Sequence, residues 1–191
     1  MTSNIWVVSD THFNHSNILN FTDDKGDPIR VFADSQEMDE IMIQRWNEVV
    51  RPGDKVYHLG DVVMGNDQEG WMKKHWPRLM GQKRLIVGNH DNIKMLACGG
   101  FFAKVEMWRV FKEFGLLLSH VPLHPSSLGR AKNGDGYKMT MTVNGNKETF
   151  DCALNVHGHI HQQKSPAGPY KCVCVEQTNY YPVNIEELRM K

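Results

Sequence analysis

The chain has 191 residues, 40% of them hydrophobic and 23% charged, and its 22 basic residues balance its 22 acidic ones. This is the composition of a globular chain, long enough to bury roughly 70% of its unfolded surface in one domain. The balanced charge excludes the broad basic field of a non-specific nucleic-acid binder, which leaves small nucleotides or a strand end as ligands, and the lack of any apolar stretch of about 18 residues excludes a transmembrane helix.

Residues 5–9, Ile-Trp-Val-Val-Ser, form a short β-branched apolar run and read as a buried strand. Residues 13–33 read as loop, with a helical turn near Ser16–Asn20. Asp34 followed by Glu37 predicts a capped helix with Met38, Ile41, Met42, Trp46 and Val49 on one face, stopped by Arg51-Pro52-Gly53. A second strand is expected over 55–59. A second helix is expected from Gln68 to about Met80, with Pro77 kinking it or ending it early. The third strand covers 83–87, and a short helix covers 92–98. Beyond Gly99-Gly100 the texture changes: 102–111, 114–119, Tyr137–Val143, 147–150, 153–157 and 170–175 all read as strands, with Asn144-Gly145-Asn146 as a hairpin turn and a closing helical turn over 185–189. Alternating strands and helices followed by strands predict an α/β chain of two packed sheets with helices outside, in a single domain over 1–191. The N-terminus Met1-Thr2-Ser3-Asn4 has no basic region ahead of an apolar core, so no signal peptide is expected. The cysteines Cys98, Cys152, Cys172 and Cys174 lack zinc-ribbon spacing and read as reduced thiols of a cytoplasmic protein.

Five clusters of metal-binding side chains follow these strand-like runs: Asp10-Thr11-His12, Gly60-Asp61, Gly88-Asn89-His90-Asp91, His120, and Gly158-His159-Ile160-His161. Asp10 and His12 are two apart, so on extended backbone both side chains face one way and can grip one ion. Asp61 has two oxygens and can bridge a pair of ions, while Asn89 offers a hard amide oxygen. His90, next to Asn89, projects elsewhere, toward a substrate, and Asp91 is placed to orient its ring. Each cluster alone also has a plain reading, as a loop cap, a turn or a core histidine.

In this order the clusters resemble the calcineurin-like metallophosphoesterase superfamily, over residues 10–161. The opening from Ser9 to Ile18 and the close Tyr180-Tyr181-Pro182-Val183 are similar to its small bacterial and phage members. The resemblance implies a two-sheet β-sandwich flanked by helices (α-β-β-α) and two divalent metal ions. Asp10, His12, Asp61 and His161 are then the ligands of the first ion, and Asp61, Asn89, His120 and His159 those of the second, with Asp61 shared. It further implies hydrolysis of a phosphomonoester or phosphodiester by a metal-activated hydroxide, with His90 stabilising or protonating the reacting ester and Asp91 steadying it. The substrate expected is small and nucleotide-like, with no membrane partner and the oligomeric state open. Manganese is the metal expected from the small microbial relatives, and the mixed N and O donors also suit iron, nickel, cobalt or zinc. The competing reading is a non-catalytic interaction module on the same fold, as in relatives resembling the retromer subunit that lack parts of the site; here every ligand position is filled.

The chain departs from the pattern in two places. Val62-Val63-Met64-Gly65 follows Asp61 where many members carry a further acidic residue or histidine. An insertion-like segment, about 126–150, is open as a lid, a specificity element, a dimer contact or a plain surface hairpin. His15 and His58 are placed near the site, His75 on a helix stripe, and His124 and His157 in structural roles. Arg30, Arg45, Lys83, Lys94, Arg130 and Lys132 are candidate phosphate contacts.

Overall fold

The computed structural model describes residues 3–128, 137–143, 146–152 and 154–189. Its strands, in chain order, are β1 (Ile5–Val8), β2 (Lys55–His58), β3 (Gln82–Ile86), β4 (Lys104–Glu106), β5 (Trp108–Phe111), β6 (Leu116–Ser119), β7 (Tyr137–Val143), β8 (Asn146–Cys152), β9 (Leu154–His157), β10 (Tyr170–Cys172) and β11 (Val183–Asn184). The α-helices are α1 (Ser35–Val49), α2 (Gln68–His75) and α3 (Ile93–Cys98). One sheet has the order β11-β1-β2-β3-β4 and the other β10-β9-β6-β5, and β7 and β8 pair apart from both. Both larger sheets are mixed: β1 to β4 run parallel with β11 antiparallel at the edge, and β10, β9 and β6 run parallel with β5 antiparallel.

Side-chain alternation along each strand builds two cores at once. Val8, Val56 and Leu85 face a helical layer and pack with Met38, Met42 and Trp46 of α1, Trp71 and Met72 of α2, and Leu96 of α3. Their neighbours Val7, Tyr57 and Ile86 face the other way and meet Phe111, Leu116, Leu118 and Val156 of the second sheet. Leu117, between Leu116 and Leu118, turns to the outer face of that sheet and packs with Leu128 and Tyr170. The sandwich expected from the motifs is therefore present, and the α-helices seen pack on the first sheet.

The helix boundaries follow local chemistry. Asp34 caps α1 by accepting the Glu37 N–H at 2.8 Å, and Asp67 caps α2 by accepting the Gly70 N–H at 2.9 Å. Proline lacks the N–H that a continuing helix needs, so α2 ends at His75 and Trp76–Arg78 winds on as a 3-10 turn. The strand expected over 102–111 is two strands in different sheets. Beyond Glu106 the chain leaves the β4 pairing with β3 and, past Met107, begins the β5 pairing with β6. The run expected over 170–175 is also divided: β10 stops at Cys172, and Cys174 makes an isolated parallel bridge to Ser9. That bridge ties the C-terminal end of β1, in the first sheet, to the second. The hairpin turn residues Asn144 and Gly145 lie outside the described residues.

Candidate metal centre

The five clusters sit on loops that leave the ends of β1, β2, β3, β6 and β9, and they come together. Asp10, His12 and His161 each place a ligand atom within 4.8 Å of the other two, and so, separately, do Asp61, His120 and His159. Asp61 Oδ2 stands between the groups, 3.7 Å from His12 Nε2 and 3.5 Å from His120 Nε2. Asn89 joins the second group, its Oδ1 lying 2.7 Å from His120 Nε2 and 2.9 Å from His159 Nδ1.

The backbone that achieves this is not extended strand. Asp10, His12, Asp61, His159 and His161 all have positive φ, between 47° and 70°, a region that costs a non-glycine residue of order 1 kcal/mol or more. Such strain persists only where neighbours over-determine it, and here they do. Asp10 N–H donates to Gly60 O at 3.0 Å, His12 N–H to Asp61 O at 3.0 Å and Phe13 N–H to Val62 O at 2.9 Å, so the loops after β1 and β2 run bonded side by side. Gly60, at φ +96°, lies so close to the third loop that a Cβ there would overlap the Gly88 backbone. The shared direction expected for residues two apart accordingly has a different cause. Asp10 and His12 do converge, but by left-handed turns, and His159 and His161 part company, one to each group.

The carboxylates of Asp10 and Asp61 are each divided between scaffold and site. Asp10 Oδ2 accepts the His159 N–H at 2.9 Å and the Cys174 thiol at 3.2 Å, whereas Oδ1, fully buried, has no hydrogen bond and lies 3.9 Å from His12 Nε2. Asp61 Oδ1 accepts the His90 N–H at 2.9 Å, which leaves Oδ2 turned to the two histidines. Both ring nitrogens of buried His12 are also without a hydrogen bond. A buried polar atom left unpaired costs about 1–3 kcal/mol, a cost that a cation bound by Asp10, His12 and His161 would remove. The donor set therefore fits hard or borderline divalent ions that accept carboxylate, amide and imidazole ligands.

Electrostatics point the same way. Burial raises the Asp10 carboxyl above its usual range, so its ionised form needs a counter-charge. Burial, with the Arg30 charge next, holds His12 far below the usual imidazole range, neutral with a lone pair to give. His120 is fixed by its other nitrogen: Nδ1 lies 2.7 Å from the Leu59 carbonyl and donates to it, which turns the Nε2 lone pair into the site. His161 Nδ1 lies 2.8 Å from Glu176 Oε1 and donates likewise. Burial works to lower His161, but the Glu176 hydrogen bond and charge outweigh it and raise it.

Glu176 and Arg30 form a support that the motifs do not contain. Arg30 is 1% exposed. Its Nη2 lies 2.7 Å and its Nε 2.8 Å from Glu176 Oε1, and it donates to the carbonyl oxygens of Asp10 at 2.6 Å and Thr11 at 2.7 Å. Arg30 is thus a clamp on the first ligand loop and not a phosphate contact. Arg45 donates to Asn179 O at 2.9 Å and lies over the rings of Tyr180 and Tyr181, and Lys83 donates to Leu79 O at 2.6 Å. Lys94 borders a separate hollow with Glu69 and Asn92, while Arg130 and Lys132 lie outside the described residues.

His90 is exposed, and its ring centroid lies 6.0 Å from that of His12. The sequence reading places Asp91 on the His90 ring. Its carboxylate oxygens instead accept the Val62 N–H at 3.0 Å and the Gly88 N–H at 2.8 Å, so Asp91 stitches the second and third loops together. His15 stands 5.7 Å from His12, ring to ring. His58 sits beneath the site, 2.9 Å from Thr11 Oγ1, and His157 reaches Ser165 at 3.1 Å. His75 stacks on Trp71, and His124 meets Ser126 at 2.7 Å. Glu176 carries no signal of its own in the sequence, 15 residues beyond the histidine it holds.

Comparison with known proteins agrees with this geometry. The calcineurin-like phosphoesterase family model matches residues 3–163. An uncharacterized protein of Methanocaldococcus jannaschii is 29% identical over 95% of this chain and 87% of its own length. The gene 66 protein of Mycobacterium phage L5 is 35% identical over 66% of this chain and 59% of its own. A crystal structure of a protein of unknown function from Aquifex aeolicus superposes over 98% of both chains with a TM-score of 0.66 at 23% identity, a likeness of fold.

Proposed function

The chain belongs to the calcineurin-like phosphoesterase family, and from that premise we propose that it is a dinuclear metal-dependent hydrolase of phosphomonoesters or phosphodiesters. The observation that carries this reading is the place of Asp61 Oδ2 between His12 Nε2 and His120 Nε2, at 3.7 and 3.5 Å, with a further group of donors on each side. Asp10, His12, Asp61 and His161 are the residues for one ion, and Asp61, Asn89, His120 and His159 those for the other. Bound there, two divalent cations supply Lewis acidity toward phosphoryl oxygens and a water acidified toward neutral pH.

The chain's own residues do the rest. Asp10 and Asp61 each spend one oxygen on the scaffold, so the facing oxygens are pre-aimed and need no reorganisation. Neutral His12 keeps its donor electrons available. His90, exposed beside the first group, is the side chain for the non-bridging or leaving oxygen of the ester, where it donates a proton or a hydrogen bond. Manganese is the metal we favour. The same mixed donors also accept iron, cobalt, nickel or zinc.

The test is a panel of p-nitrophenyl phosphate, its bis ester and cyclic nucleotides, run with each metal. Asp61→Ala loses metal and activity together. His90→Ala keeps the metal and loses about 10²- to 10⁴-fold in rate, the usual worth of a general acid. Full turnover by metal-stripped protein overturns the reading, and a metal-replete protein inert on every ester favours the non-catalytic module instead.

A further inference from the structure

Seven large apolar side chains are exposed among the described residues, and four of them, Ile93, Met107, Trp108 and Val121, border one cleft of about 440 Å³. Scattered exposed apolar residues are ordinary, but clustering around one concavity marks a binding surface. This cleft opens directly off the candidate metal centre, because Asn89 and His120 line it as well. The fold explains its wall. Met107 and Trp108 lie where the chain crosses from β4 in the first sheet to β5 in the second, so both side chains stand out at the seam of the sandwich, 63% and 48% exposed.

The lining decides what fits. Among the described residues it includes no lysine or arginine, so the cleft is not a second phosphate subsite. Asp91 is its charged member, and both Asp91 oxygens are engaged by the N–H groups of Val62 and Gly88. The volume lies within the range of about 300–1,000 Å³ typical of small-molecule sites. An indole and a methionine in the lining favour a flat unsaturated ring.

We propose that this cleft is the subsite for the organic half of the substrate, and that it takes an uncharged planar aromatic ring whose phosphate reaches the metal centre past Asn89 and His120. Trp108 and Met107 are its specificity residues. The inference rests on the phosphoesterase reading for the place of the phosphate, but its central observation, the apolar wall, is independent of turnover.

The test is calorimetric binding of non-hydrolysable phosphonates to manganese-loaded protein, with three probes: methylphosphonate, 1-naphthylmethylphosphonate and an adenosine phosphonate. At least one ring-bearing probe binds about tenfold more tightly than methylphosphonate, a margin typical of aromatic stacking. If only the naphthyl probe gains, the ring adjoins the ester; if only the adenosine probe gains, a sugar intervenes; both results support the subsite. Trp108→Ala abolishes the margin and Trp108→Phe restores most of it, with methylphosphonate affinity and manganese content unchanged. On an aromatic ester, Trp108→Ala raises KM with kcat held. Equal affinity for all three phosphonates in the wild type overturns the subsite, whether or not the protein hydrolyses esters. A ring preference without turnover on any ester upholds the subsite and overturns the phosphoesterase reading. Loss of a dimer in Trp108→Ala, with no ring preference in the wild type, overturns the proposal in favour of a second copy of the chain on this face.

Discussion

Replacing Glu176 with glutamine isolates the support beneath the first ligand group. One oxygen, Oε1, receives Arg30 Nε at 2.8 Å, Arg30 Nη2 at 2.7 Å and His161 Nδ1 at 2.8 Å, and Oε2 is buried without a partner. Glutamine keeps an acceptor at Oε1 and removes the charge. Hydrogen bonds to charged groups are worth about 1.5–3 kcal/mol against about 0.5–1.5 for neutral ones, so each of the three contacts loses roughly 1 kcal/mol, about 3 in all. That sum meets the low end of the roughly 3–5 kcal/mol expected when a buried ion pair loses one partner. It is reasonable for Arg30, which retains the Asp10 and Thr11 carbonyls at 2.6 and 2.7 Å. For a chain of this length about 3 kcal/mol lowers Tm by roughly 6–12 °C, and the protein stays folded at 25 °C. Metal affinity should fall about 10- to 100-fold, the usual consequence of removing the partner that orients a histidine ligand. Urea denaturation in chelator gives the first quantity, and manganese titration at 25 °C the second. A Glu176→Gln protein within about 0.5 kcal/mol of wild type, and within twofold in manganese affinity, would refute the argument.

Three other outcomes follow from the same geometry. Gly60→Ala places a Cβ on the Gly88 backbone at φ +96° and should cost at least about 2 kcal/mol with loss of metal, read by thermal unfolding and metal content together. Burial pushes the Lys83 ammonium down to about 8 from 10.5. The folded state therefore releases that proton before the unfolded one does, and wild-type stability rises relative to Lys83→Met as pH climbs from about 8 toward 10.5. Denaturation of both proteins at pH 7 and 10 measures the change, and a constant difference would contradict the burial. Manganese at about 100 times its dissociation constant should add about 2.7 kcal/mol of stability for each ion bound, visible as a rise in Tm that chelator reverses and Asp61→Ala lacks.

How far the sequence could be read depended on the kind of interaction. The strands between the two cores were legible because Val7 and Val8, Val56 and Tyr57, and Leu85 and Ile86 lie in apolar runs short enough to be strands. The breaks were not. Residues 102–111 look like one strand since nothing at Met107 stops one, and only pairing partners from β3 and β6 divide the run. β11 is two residues long, below any periodicity. At the site, the order of the clusters pointed to side chains that the fold brings together, yet the reason advanced for Asp10 and His12 supposed extended backbone, and the loop is left-handed at both. Arg30 and Glu176 are 146 residues apart, so no local pattern could join them. Asp91 beside His90 invited a local pairing that the long-range demands of Val62 and Gly88 took over.

The central claim is a pair of cations sharing one carboxylate oxygen. Electron paramagnetic resonance of the manganese-loaded protein, with metal content determined on the same sample, tests it most directly. Two ions per chain are expected, with the exchange-coupled spectrum of a pair about 3.5–4 Å apart, and with loss of that spectrum in Asp61→Ala. A single isolated ion per chain, or two ions with uncoupled spectra, would contradict it.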